Sequence, residues 1–207
     1  MAPTLTRRQA ITAALASAAA AGLPRFALAQ STPVVAEMSI GDPNAPVTLV
    51  EYAMFTCPHC ATFAKEVMPR IKENYIDTGK VRLVFREVYF NKPALWAAMI
   101  ARCAPEDRYF GMVDALFATQ ASWTGESDEQ AMLGKLYGIG RQAGLTDVQM
   151  NACMQDRAMA EALVAEYQKN AAADGVDSTP TFLINGKKVD NMPYEEFEAE
   201  LNAALGA

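Results

Sequence analysis

Residues 57–60 read Cys-Pro-His-Cys, and they follow at once on a run of strand formers, Val47-Thr-Leu-Val-Glu-Tyr-Ala-Met54. A helix has to begin there. Pro58 suits the first helical position, because it has no N–H to leave unpaired and its φ is already helical. The spacing predicts a helix from Pro58 to about Thr78, with Phe63, Val67 and Ile71 on one face, a kink at Pro69 and a stop at Gly79. A second strand run, Val81 to Tyr89, comes next. A strand, a helix longer than ten residues and another strand make a crossover unit, so the two strands should lie parallel.

Residues 30–46, with Pro33, Pro43 and Pro46, read as a linker-like approach to the first strand. From Pro93 to about Asp174 the pattern is helical. Leu95, Trp96, Met99, Ile100 and Cys103 share one face, and Phe110, Val113 and Phe117 the next. Ser127–Gln130 and Thr146–Gln149 resemble capping boxes. A helix near 158–173 stops at Gly175. The glycines of Leu133–Gly140 follow no strand, which argues for helix packing and against a phosphate loop. Strand pattern returns at Thr181–Ile184 and Lys187–Val189 around an Asn185-Gly186 turn, and a last amphipathic helix covers Tyr194–Leu205. A connection of about 80 residues inside a sheet must fold by itself. The expected division is a signal peptide 1–29, a first part of the sheet domain 30–92, a helical insertion 93–174 and a second part 175–207.

The first 29 residues carry Arg7 and Arg8, an Ala-rich apolar run too short to span a bilayer, and a small-x-small site at Ala27-Leu28-Ala29. They read as an export signal. Thr6-Arg7-Arg8-Gln9 resembles a twin-arginine signal, while Ala10 departs from the large apolar residue usual there, so Sec export stays open. The segment holds three arginines and no acid, so its removal takes the net charge from −6 to −9. Nucleic-acid binding by counterion release is excluded for so acidic a chain, as is a basic patch for anionic lipid. A periplasmic protein is expected, in a compartment where four cysteines can form disulfides.

His59 is the only histidine among 207 residues, and it lies between two cysteines. Three readings compete for that motif. Zinc needs four ligands, and no second close pair exists. An inert disulfide closing so small a ring adds little stability. Redox catalysis fits the position best. At a helix start, unpaired amides and the dipole favour a negative sulfur on Cys57, and a protonated His59 beside it adds to that. A stabilised thiolate leaves well and favours the reduced form, so the pair passes its oxidation to other thiols. Elsewhere, Cys103 and Cys153 lie on apolar helix faces, as two buried thiols or as a disulfide. Met54, Phe55 and Met192 could border a substrate groove or fill core.

The export signal, Glu51-Tyr-Ala-Met-Phe-Thr-Cys57-Pro58-His59-Cys60, the helical insertion and Gly175-Val-Asp-Ser-Thr-Pro-Thr-Phe182 together resemble the DsbA-like thiol oxidases. The likeness runs from about Pro46 to the C-terminus. It implies an α/β chain of thioredoxin fold with an inserted helical domain. It implies that Cys57 is the exposed attacking cysteine and Cys60 the buried resolving one, with Pro58 and His59 tuning the pair. Thr179 and Pro180 match the cis-proline loop that receives substrate. Glu51 matches a buried acid that relays a proton to Cys60, with Arg86 a candidate basic partner, and relatives of this type often pair cysteines where Cys103 and Cys153 fall. The resemblance also implies that reduced or unfolded exported proteins are the substrates and that a DsbB-type quinone-linked membrane oxidase restores the disulfide. The protein would act as a monomer, with no cofactor beyond the Cys57–Cys60 pair and no bound metal. Alternatives are an isomerase or reductase of the same fold, or a metal-binding or chaperone-like protein.

Overall fold

The structure, a computed structural model, describes residues 33–206; the expected signal peptide and its cleavage site lie outside them. Five strands make one sheet in the order β1-β3-β2-β4-β5. They are β1 Met38–Ile40, β2 Val47–Ala53, β3 Val81–Glu87, β4 Thr181–Ile184 and β5 Lys187–Val189. β2 and β3 are parallel, and every other neighbouring pair is antiparallel. β1 lies inside the stretch read as a linker. Three residues are too few to show an alternating pattern, and pairing with β3 supplies what the local sequence does not.

The helix after the cysteines is broken rather than kinked. α1 spans Pro58–Glu66, α2 spans Met68–Ile71, and a π-helical turn covers Lys72–Ile76. The break falls at Val67, two residues before Pro69, which then sits in the first turn of α2, where its missing N–H leaves nothing unpaired. Between β3 and β4 lie α3 Lys92–Arg102, α4 Tyr109–Ala118, α5 Gln120–Thr124, α6 Glu129–Gln142, α7 Asp147–Gln155 and α8 Arg157–Asp174. α9, Tyr194–Leu205, follows the final hairpin.

The Thr146–Gln149 capping box forms. The Ser127 box does not: Asp128, one residue later, is the cap and accepts from the Ala131 amide at 2.8 Å. Gly140 sits where the Met150 sulfur would meet any Cβ, so the glycine serves packing of α6 on α7. The Asn185-Gly186 turn has φ of 48° and 80°, both left-handed, as a tight hairpin requires.

Alternation along β2 and β3 divides the side chains between two faces. Leu49 and Leu83 pack with Phe63 of α1 and with Phe197 and Leu201 of α9. Further along that face, Ala53 and Phe85 meet Met112, Leu116 and Trp123 of the helical block. On the other face, Tyr52 and Leu183 pack with Ala171 and Tyr167 of α8. Sheet and helical block are also tied by charge. Glu87, at the end of β3, receives Arg102 Nε at 2.6 Å and Nη2 at 2.7 Å, and Tyr109 donates its hydroxyl to the same carboxylate at 2.7 Å. Among the described residues, no helix is long and apolar enough to cross a membrane.

Candidate active site

Cys57 is the N-cap residue of α1, with an extended backbone (φ −84°, ψ 118°), and Pro58 occupies the first helical position. Pairing of β4 with β2 brings a distant loop to the same place. Glu51 lies opposite Phe182 and Tyr52 opposite Thr181, so residues 178–180 reach the end of β2. The Thr179–Pro180 bond is cis, and Cys57 Sγ donates to the Thr179 carbonyl at 3.3 Å. Cys60 is fully enclosed, and Cys57, expected to be exposed, is itself buried with 6% of its surface open, because the Thr179–Pro180 loop lies against it; both thiols are free. Pro58 and His59 are exposed beside them.

The two sulfurs are driven apart electrostatically. The Cys60 thiol, hydrogen-bonded to Cys57, is the largest influence lowering the Cys57 pKa, which falls from 9.0 to about 5 against the opposing effect of burial. The Thr179 hydroxyl and the backbone amides of Cys60 and His59 lower it further. Those amides face the sulfur without closing a full capping bond. The Cys60 thiol goes the other way, far up, through the same hydrogen bond, its burial, the Cys57 charge and the Glu51 charge. His59 thus contributes its backbone amide to holding the Cys57 sulfur negative.

Glu51 is 3% exposed, and burial, with Asp114 adding, pushes its pKa from 4.5 to about 8. Arg86 is not its partner. In the parallel register Glu51 lies opposite Phe85 and Tyr52 opposite Arg86, so Arg86 projects from the other face of the sheet. There it binds Asp174 and the Tyr52 hydroxyl, each at 2.7 Å.

Gln120, which the sequence reading did not single out, is buried and donates from Nε2 to the carbonyls of Phe55 and Cys57, both at 2.8 Å. It fixes the turn into α1 from the helical block. No local pattern marks it, since its partners are more than 60 residues away. Phe55 is core, 1% exposed, and does not line a groove; Met54 and Met192 are partly buried against core clusters. Cys103, capping the end of α3, is disulfide-bonded to Cys153 of α7. Among the described residues no three His, Cys, Asp or Glu side chains gather as metal ligands.

A free low-pKa sulfur at a helix start, an enclosed partner one turn on, and a cis-proline loop against them define a dithiol–disulfide exchange site on a thioredoxin fold with an inserted helical domain. The chain belongs to the family described as Thioredoxin, which matches residues 33–203. It is similar to alpha-DsbA1 of Wolbachia pipientis, whose crystal structure superposes with a TM-score of 0.77 at 29% identity, covering 85% of this chain and 94% of that one. A crystal structure of a protein-disulfide isomerase from Novosphingobium aromaticivorans matches with a TM-score of 0.73 at 25% identity, over 84% of this chain and all of that one. A Rickettsia bellii protein named "Putative protein-disulfide oxidoreductase" is 29% identical over 170 residues. That match takes in 82% of this chain but only 64% of the relative, so the chain spans less than two thirds of that relative's length.

Proposed function

We propose that the protein is a periplasmic thiol:disulfide oxidase that introduces disulfide bonds into reduced exported proteins. The observation that carries this reading is the separation of the two sulfurs, Cys57 held low and Cys60 held high. A substrate thiolate attacks Cys57 Sγ of the oxidised pair, the Cys57–Cys60 bond breaks, and Cys60 leaves with the electron pair. Cys60 takes a proton, for which Glu51 is the nearby acid. A second substrate thiolate then attacks the substrate sulfur of the mixed disulfide and expels Cys57 as a stable thiolate. The substrate has lost two electrons and the pair has gained them.

A quinone-linked membrane oxidase of DsbB type would return the pair to the disulfide, with no small-molecule cofactor on this chain. Thr179 and Pro180 present backbone to the bound substrate segment. The Cys103–Cys153 bond braces the helical block and stays outside the exchange.

Incubation of the oxidised protein with a peptide dithiol should give one peptide disulfide per enzyme disulfide. The double variant Cys103→Ala, Cys153→Ala should retain this, Cys57→Ala should lose it, and reduced Cys60→Ala should accumulate a mixed disulfide on challenge with a peptide carrying an activated disulfide, whose leaving thiolate departs as Cys57 bonds to the peptide sulfur. A peptide left reduced by the oxidised protein would contradict the oxidase reading. Loss of exchange in a folded double variant would instead assign the second pair a redox part.

A further inference from the structure

The buried Glu51 carboxyl does not end in packed core. It lines a cavity of about 50 Å³, room for a few waters, whose other polar walls are Asp114 of α4 and Lys72 of the π-helical turn. No side-chain hydrogen bond among the described residues ends on Glu51, and no side-chain polar atom there is both sealed and unpartnered, so the carboxyl opens on this space. A surface groove of about 450 Å³ lies beside the cavity, and the two share Ala64, Met68, Lys72, Asp114 and Phe117 as walls. Neither space is lined by Cys57, His59, Thr179 or Pro180, so both lie apart from the face that carries the sulfurs.

The charged and titratable surroundings of Glu51 are few. α1 supplies Cys60 on the inside and Lys65 at the outer groove, the π-helical turn supplies Lys72, and α4 supplies Asp114. β1 and β3 contribute Ile40, Leu83 and Phe85, and β4 pairs Phe182 against it, so the sheet offers no base. Lys72 is drawn outward by Asp77, at 2.6 and 2.8 Å. The group that shares the cavity with Glu51 and can oppose its ionisation is therefore Asp114.

We propose that Asp114 is a positioning residue for disulfide exchange: across the shared cavity its carboxylate keeps the Glu51 proton in place at neutral pH, ready for the departing Cys60. This rests on the reading of Glu51 as the acid for Cys60. The balance is simple. Substrate sulfur bonds to Cys57, the Cys57–Cys60 bond breaks, and Cys60 takes the Glu51 proton to become a thiol. Glu51, now a carboxylate, regains a proton from cavity water, which draws it from solvent past Asp114 and Lys72. Burial and the Asp114 charge both raise the Glu51 pKa, so removing that charge lowers it.

The test is a stopped-flow measurement of mixed-disulfide formation between the oxidised protein and a peptide thiol, as rate per substrate thiolate from pH 5 to 9.5. In the wild-type protein the rate should fall as pH rises through the Glu51 pKa. In D114N that fall should move down by about half a pH unit or more, leaving the low-pH rate unchanged and slowing the reaction a few-fold near pH 7.5. D114E should restore the wild-type profile, which a merely structural role would not require. E51Q should be slower at low pH and show no such fall. A D114N profile with an unmoved midpoint, beside an E51Q that behaves as stated, overturns the role of Asp114 and leaves Glu51 standing. An E51Q identical to wild type removes the acid itself and the proposal with it.

Discussion

Reduced protein treated with limiting iodoacetamide at pH 6 is expected to carry its label on Cys57 and almost none on Cys60. With a pKa of about 5, Cys57 is about 90% thiolate at that pH. Cys60, raised above 9, is ionised to less than about one part in a thousand. Lower basicity weakens a thiolate as a nucleophile, which over four units of pKa takes back about a hundredfold. Charge alone thus leaves about a tenfold preference. The complete enclosure of Cys60 extends it to about a hundredfold or more. Direction in pH follows from the same numbers. The rate of labelling should be flat from pH 6.5 to 8 and fall as pH drops through about 5. Labelling mainly on Cys60, or a rate still climbing through pH 8.5, would overturn the assignment.

The largest loss of stability should come from a residue far from the sulfurs in role. Replacing Glu87 by alanine leaves the Arg102 guanidinium, 14% exposed in the side chain, without its carboxylate and leaves the Tyr109 hydroxyl without its acceptor. Breaking a buried ion pair on one side costs about 3–5 kcal/mol, since the surviving charge has lost its partner but not its burial. At the scale of this chain that is a drop in melting temperature of about 10 °C. Removing both charges, with Glu87→Leu and Arg102→Leu, should recover most of the loss, because the desolvation of each ion goes with it. Thermal unfolding of the wild-type protein and the two variants checks this. A single Glu87→Ala variant within about 1 kcal/mol of wild type would mean that the pair does not hold sheet and helical block together.

These two predictions differ in how far the sequence reaches toward them. Cys57, Pro58 and Cys60 declare themselves because the strand before them and the helix after them are local patterns. Glu51 reads as a buried acid only through the resemblance to the DsbA-like oxidases, and strand parity explains why Arg86 could not be its partner. Choosing a partner from a strand needs the register, and register is set by pairing, not by composition. Glu87 reads as one more strand glutamate until α3 returns to place Arg102 against it. Gln120 and Asp114 lie on helices whose packing the sequence does not specify, yet one fixes the Cys57 carbonyl and the other shares the Glu51 cavity. The helix start and its amides are legible as thiolate stabilisers, whereas the largest contribution, the hydrogen bond from Cys60, needs the geometry of the turn.

The direction of electron flow is the central claim, and equilibrium with a glutathione redox buffer at pH 7 tests it most directly. A dithiol of this motif with an attacking pKa near 7 has a potential of about −270 mV. Lowering that pKa to about 5 stabilises the reduced form at pH 7 by about 2 kcal/mol, equivalent to about 50 mV for a two-electron couple. The Cys57–Cys60 pair should therefore equilibrate at about −220 mV or less negative, oxidising thiols in a compartment that supplies the electron acceptor. A value at or below about −270 mV would contradict the account, for the pair would then serve as a reductant.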